Sequence, residues 1–157
     1  MTRLRGRAPR GERVHASAPQ GHWQTTTMIC AVRSNGSTAC MTLKGATDTE
    51  AFRTYVRQVL CPILRPDDLV IMDNLSPHKS QLTLSLIAQT GAQSLFLPPY
   101  SPDLNPIEMM WSKVKQLLRS AEARTEEDLF HAIGFALAQV TAQDARNWFA
   151  SCGYSFI

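Results

Sequence analysis

No apolar run in the chain approaches the ~18 residues of a membrane span, and no h-region follows the basic start. The sequence therefore predicts neither a spanning helix nor a signal peptide. It has no C-x-x-C pair: Cys30, Cys40, Cys61 and Cys152 stand apart, the first two inside apolar stretches. That spacing argues against a zinc site and predicts four reduced thiols in a cytoplasmic protein. Internal repeats and low-complexity segments are absent. No Asp or Glu precedes Glu12.

What is present suits one globular domain: 157 residues, 44% of them hydrophobic, enough to bury a core. The net charge of +3 is unevenly spread. Arg3, Arg5, Arg7, Arg10 and Arg13 face Glu12 alone in the first 13 residues, and the remainder is nearly neutral. A basic arm on a neutral body predicts a polyanionic partner, nucleic acid before membrane. The plainer reading is a solvated tail.

Residues 1–22 carry Arg, Gly and Pro without periodicity and read as an arm or linker; residues 23–157 read as the folded domain. The segment 25–33 is β-rich, Asn35-Gly36 signals a hairpin, and 37–43 returns. Thr47 to Glu50 reads as a capping box. Phe52, Tyr55, Val56, Val59 and Leu60 then mark one helical face, and Pro62 stops it. The run 69–72 reads as a strand buried on both faces. Ser76 and Pro77 predict a helix running to Thr90, stopped by Gly91. The run 94–97 is a second short buried strand. Four prolines in residues 98–106 predict a rigid, extended loop.

Asn105 and Pro106 then predict the start of a helix with Ile107, Met110, Trp111, Val114, Leu117 and Leu118 on its apolar face. Two more helices follow, capped by Thr125 and Thr141. The last buries Ala145, Trp148, Phe149 and Cys152. Strands alternating with helices imply an α/β fold with a parallel portion of sheet. Ligand chemistry in such sheets collects at the carboxyl ends of strands.

Two carboxylates stand out. Asp73 ends the 69–72 strand, and Glu108 lies in the first turn of the helix after the proline loop. Converging carboxylates suit Mg²⁺, a hard cation that takes oxygen ligands. Each has a plain alternative: Asp73-Asn74 as a strand-ending turn, Glu108 as a capping-box residue. His78 reads as a structural hydrogen-bonding residue, and Trp111 as core.

The segments MDNLSPHKS (72–80) and LPPYSPDLNPIEMMWSKVKQLLR (97–119) resemble the two C-terminal catalytic blocks of mariner-like DDE transposases of bacterial insertion sequences. RGRAPRG (5–11) and GHWQTTT (21–27) are similar to segments of the same subgroup. The resemblance covers nearly the whole chain, and its proline block is a long, specific motif. It implies a ribonuclease-H-like mixed sheet flanked by helices. Asp73 and Glu108 take the second and third positions of the catalytic triad, with 34 residues between them. Asn74, His78, Asn105 and Pro106 support the motifs.

Further expectations follow from the resemblance. The cofactor is Mg²⁺, with Mn²⁺ a substitute. The partners are DNA, as transposon ends and target, and either a second copy or full-length transposase; no membrane is involved. The location is the bacterial cytoplasm, at the nucleoid. The reaction is metal-dependent cleavage and strand transfer, with the arginine arm on phosphates. The family's first Asp lies on a central first strand, and no counterpart occurs upstream of the hairpin. The expectation is therefore an N-terminally truncated domain lacking that strand and inactive alone. The rival reading is a non-catalytic module that binds DNA or inhibits full-length transposase.

Overall fold

A computed structural model describes residues 6–15 and 25–155. Strands β1 (Thr26–Val32) and β2 (Thr38–Lys44) form the expected antiparallel hairpin. Its loop is Ser34 to Gly36, closed by Arg33 N–H to Ser37 O at 2.9 Å and Gly36 N–H to Arg33 O at 2.9 Å. Gly36 sits at φ +89°, and a Cβ there would lie 2.6 Å from the backbone nitrogen of Ala142. Both the turn and the packing therefore require glycine.

This register corrects the expectation of four free thiols. Cys30 lies opposite Cys40, their Cα atoms 4.1 Å apart, and the two are disulfide-bonded. The Arg33–Ser37 bond makes odd-numbered β1 residues the hydrogen-bonded pairs. Cys30 therefore falls at a non-hydrogen-bonded pair, where strands approach most closely. Cys61 and Cys152 are free, and burial raises the pKa of both thiols.

Helix α1 (Thr49–Tyr55) starts one residue later than the sequence suggests. Asp48, not Thr47, is its cap: the Asp48 carboxylate accepts from Ala51 N–H at 2.7 Å. The chain continues through a π-helical turn (Val56–Leu60) and a 3₁₀ turn (Cys61–Ile63) containing Pro62. Phe52, Tyr55, Val56 and Leu60 are buried as their periodicity predicts. Tyr55 OH donates to Ala39 O at 2.9 Å, tying this segment under the hairpin.

Strand β3 (Leu69–Met72) pairs in parallel with β4 (Gln93–Phe96), across a crossover through α2 (Gln81–Ala88). Neither strand is enclosed as expected. Leu69 is 52% exposed and Leu95 43%, because the two form a separate two-stranded sheet. The helix expected from Ser76 is also broken. Ser76–Lys79 is a 3₁₀ turn, and Ser80 is extended (φ −60°, ψ 124°) before α2 begins. The polar run Ser76 to Ser80 has no apolar i, i+4 pair to hold an α-helical turn against the core. Gly91, at φ +83°, turns the chain as predicted.

The proline segment is not wholly extended, since Pro102–Leu104 makes a 3₁₀ turn. Helix α3 (Pro106–Ala121) then buries Met110, Val114 and Leu118. Helices α4 (Glu126–Ala138) and α5 (Ala142–Ser151) each open on a capping box, Thr125 with Asp128 and Thr141 with Asp144.

The core has two parts, one on each face of β1. Ile29 and Ala31 pack with Phe52, Val56, Leu60 and Ile87. Met28, Cys30 and Val32 pack with Met110, Val114 and Ile133. Alternate side chains point to opposite faces, so β1 is a strand covered by helices on both sides. The result is a mixed α/β molecule with helices around two small sheets, where the sequence suggests one.

Candidate functional site

Between the two sheets lies a cavity of about 890 Å³, walled by β1 from Met28 to Val32 and by β3. The hydrogen-bond registers show which backbone groups face away from the paired strands. Odd-numbered β1 residues bond to β2, which turns the even-numbered N–H and C=O groups outward. On β3, Asp68 O and Met72 O accept from Gln93 and Leu97 N–H, which turns the groups of Leu69 and Ile71 away from β4. Two strand edges without a pairing strand among the described residues thus border the cavity.

One end is tied by a pair that the sequence does not announce. Arg33, just after β1, donates to both carboxylate oxygens of Asp68, just before β3, at 2.7 and 2.6 Å. It also donates to Ile63 O at 3.0 Å. The bidentate bond holds the Asp68 carboxyl below the usual carboxylate range and raises the guanidinium. A 35-residue separation leaves no local signal for this contact. It brings the carboxyl end of β1 to the amino end of β3.

Asp73 and Glu108 both line the cavity, beyond the carboxyl end of β3, and both line a smaller adjoining groove of about 270 Å³. Asp73 is partly exposed and held on one side only. Its Oδ1 accepts from Leu75 N–H at 3.0 Å and lies 2.7 Å from His78 Nδ1. The His78 ring packs on Phe52, centroids 4.3 Å apart. The 3₁₀ turn that replaces the expected helix start places His78 there. Asn74 donates its side-chain N–H to Leu97 O, fixing the chain after β3 to the chain after β4.

Asn105 is the N-cap of α3 and Pro106 is buried at its first position, but Asn105 makes no side-chain capping bond. The alternative of a capping box through Glu108 is therefore not realised. The Glu108 carboxylate stays exposed in the first helical turn, where the helix dipole favours negative charge. Trp111 lines the cavity while packing against the second core.

Carboxylate oxygens are the donors a hard divalent cation takes, so Asp73 and Glu108 fit one by type. By number they fall short. No three His, Cys, Asp or Glu side chains gather as a metal-binding group among the described residues. Of the arm, Arg7, Arg10 and Arg13 are exposed, while Arg3 and Arg5 lie outside the described residues. No helix among the described residues is long and apolar enough to cross a membrane.

Compared with known families, residues 1–130 match the family described as DDE superfamily endonuclease. The chain belongs to that family, whose chemistry is transposase-like cleavage of DNA. The match takes in the arm, the hairpin, β3, the proline loop and both carboxylates. No curated protein matches the chain.

Proposed function

We propose that the chain is the C-terminal portion of the catalytic domain of a mariner-like transposase of a bacterial insertion sequence, acting at the nucleoid. In this reading Asp73 and Glu108 are the catalytic carboxylates and hold Mg²⁺ or Mn²⁺. The observation that carries it is their shared cavity at the end of β3, within a chain of the DDE family. Bound there, the cation would activate an attacking oxygen and stabilise a leaving one.

The chain's own residues prepare that site. Leu75 N–H and His78 occupy one oxygen of Asp73, which leaves the other for a ligand. The α3 N-terminus carries Glu108 to the same groove. The arginine arm contacts phosphates, which positions DNA without reading its sequence. The substrate bond is a phosphodiester at a transposon end. Water attacks phosphorus as the P–O3′ bond breaks, leaving a 5′-phosphate and a 3′-hydroxyl. That hydroxyl then attacks a target phosphorus as the target's own P–O3′ bond breaks, its 3′-oxygen leaving as a hydroxyl. No covalent protein–DNA intermediate is required.

The fold in this reading is ribonuclease-H-like, with no strand among the described residues filling the central position between β1 and β3. The two strand edges and the cavity between them support it. A strand placed there would hydrogen-bond to both edges and bring the third carboxylate beside Asp73 and Glu108. Without it, the chain alone is inactive and binds Mg²⁺ or Mn²⁺ only at millimolar concentration or weaker. In a version carrying that strand, Asp73→Asn and Glu108→Gln each abolish metal-dependent nicking. Nicking by either variant at the unsubstituted rate removes the assignment. Calorimetry on the chain alone tests the affinity, and a micromolar value would falsify the two-ligand site.

A second reading is favoured by the want of a third metal donor among the described residues. The chain would act as a non-catalytic module, binding DNA through its arm or pairing with full-length transposase to inhibit it. A transposition assay with the chain co-expressed separates the two: a fall in frequency that survives Asp73→Asn supports the module.

A further inference from the structure

Tyr100 is fully exposed, at 102% of its reference area, and its backbone is left-handed at φ +57°. A bulky side chain in that region is a conformational outlier with an energetic cost. Burial normally offsets such a cost, and Tyr100 has none. The loop that carries it is nevertheless braced. Pro98, Pro99 and Pro102 stiffen the loop, and Ser101 Oγ donates to Pro99 O at 3.3 Å. Leu104 N–H donates to Ser101 O at 3.2 Å, and Tyr154 OH braces the loop through Leu104 O at 2.9 Å. Tyr100 lines the 270 Å³ groove together with Asp73 and Glu108, and Leu75, 58% exposed, lines it too.

We propose that Tyr100 is a stacking platform for an unpaired or extruded nucleobase next to the bond that is cut. The inference rests on the reading of Asp73 and Glu108 as the site that receives the scissile phosphate. An aromatic face presented beside that phosphate meets the base of an adjoining nucleotide. Stacking on an aromatic side chain is sequence-tolerant, because every base has a π-face. Bases inside a duplex already have both faces covered, so the ligand must be single-stranded or flipped out. Tyr100 thereby makes the groove prefer DNA with a locally opened end.

The test measures binding of the full chain, in Ca²⁺, to a single-stranded oligonucleotide carrying 2-aminopurine and to its perfect duplex. Tyr100→Phe keeps the ring. Tyr100→Ala removes it, and Tyr100→Asn removes it with a residue that tolerates the left-handed backbone. Wild type and Tyr100→Phe are expected to quench the 2-aminopurine on binding. Both ring-less variants should lose the quenching and about 5- to 150-fold in single-strand affinity, equivalent to 1–3 kcal/mol. Their duplex affinity should be unchanged.

Ring-less variants that bind and quench like wild type overturn the proposal, as does an equal loss on single strand and duplex. A change only in oligomeric state also overturns it, making the ring a protein contact. Asp73→Asn is run in parallel. If binding loses its Ca²⁺ dependence there while ring-less variants behave as wild type, the platform fails and the carboxylate reading stands. If wild-type binding is indifferent to Ca²⁺ yet ring-dependent, the carboxylate reading fails instead.

Discussion

His78 Nδ1 lies 2.7 Å from Asp73 Oδ1, and the imidazole is clamped from the other side by the Phe52 ring. The pair fixes which way the Asp73 carboxylate faces. Partners that orient a ligating carboxylate are worth about 10–100-fold in metal affinity. His78→Ala is therefore expected to weaken Mn²⁺ binding at least about tenfold, read by titrating free Mn²⁺ in spin resonance. His78→Asn, whose amide restores an N–H donor, should recover part of it. Equal affinity in all three proteins would leave His78 a packing residue only.

The exposed Arg7, Arg10 and Arg13, with Arg3 and Arg5 before them, lead to a salt prediction. If about four phosphates are neutralised, the logarithm of DNA affinity should fall against log salt with a slope near −3.6, at ~0.9 per contact. Deleting residues 1–13 should flatten the slope and weaken all sequences alike. An unaltered slope would place the phosphate contacts elsewhere on the domain.

Gly36 joins the hairpin loop to the start of α5. Gly36→Ala imposes a left-handed Ala and a Cβ 2.6 Å from Ala142 N. The backbone alone should cost about 1–3 kcal/mol, and the collision adds to it. Thermal unfolding should show a clear drop in midpoint. Gly45→Ala, also at positive φ but with open space around it, should lose less. Equal losses at both sites would mean that the loop moves off α5 at no cost.

Asp144 accepts from Lys113 Nζ at 2.6 Å and caps α5 through Thr141, linking α3 to α5. These bonds, Lys113 first, hold its carboxyl at a pKa of about 2, below its ordinary 3.8. A depressed folded-state pKa stabilises the fold above the unfolded value, and that share is lost as pH falls through the folded one. Stability should therefore decline between about pH 4 and pH 2. Asp144→Asn should show a shallower decline there and a lower plateau at neutral pH. An acid profile identical in both proteins would remove Asp144 from the acid transition.

The segments with a strong local signal were legible. Both strands of the hairpin, the Thr125 and Thr141 helix caps, the Asn105-Pro106 helix start and the Gly91 turn lie within a residue or two of their sequence positions. Each rests on contacts within a few residues, which periodicity and capping chemistry report directly. The positions of Asp73 just after a strand and of Glu108 just after a loop were legible for the same reason, while their proposed role came from the family resemblance.

What lay beyond the sequence depends on contacts between distant segments. The cap of α1 passed from Thr47 to Asp48, and the helix at Ser76 tightened into a 3₁₀ turn that brings His78 to Asp73. Cys30 and Cys40 met because a three-residue loop set the register, and a one-residue slip would have parted them. Arg33 found Asp68 across 35 residues. Apolar runs alone left the environment of β3 and β4 undetermined, because a run of Val, Ile and Leu does not say whether both edges of a strand are paired. Tertiary structure decided that: among the described residues the 69–72 and 94–97 strands pair only with each other, and the other edge of β3 borders, with β1, a cavity that both carboxylates line.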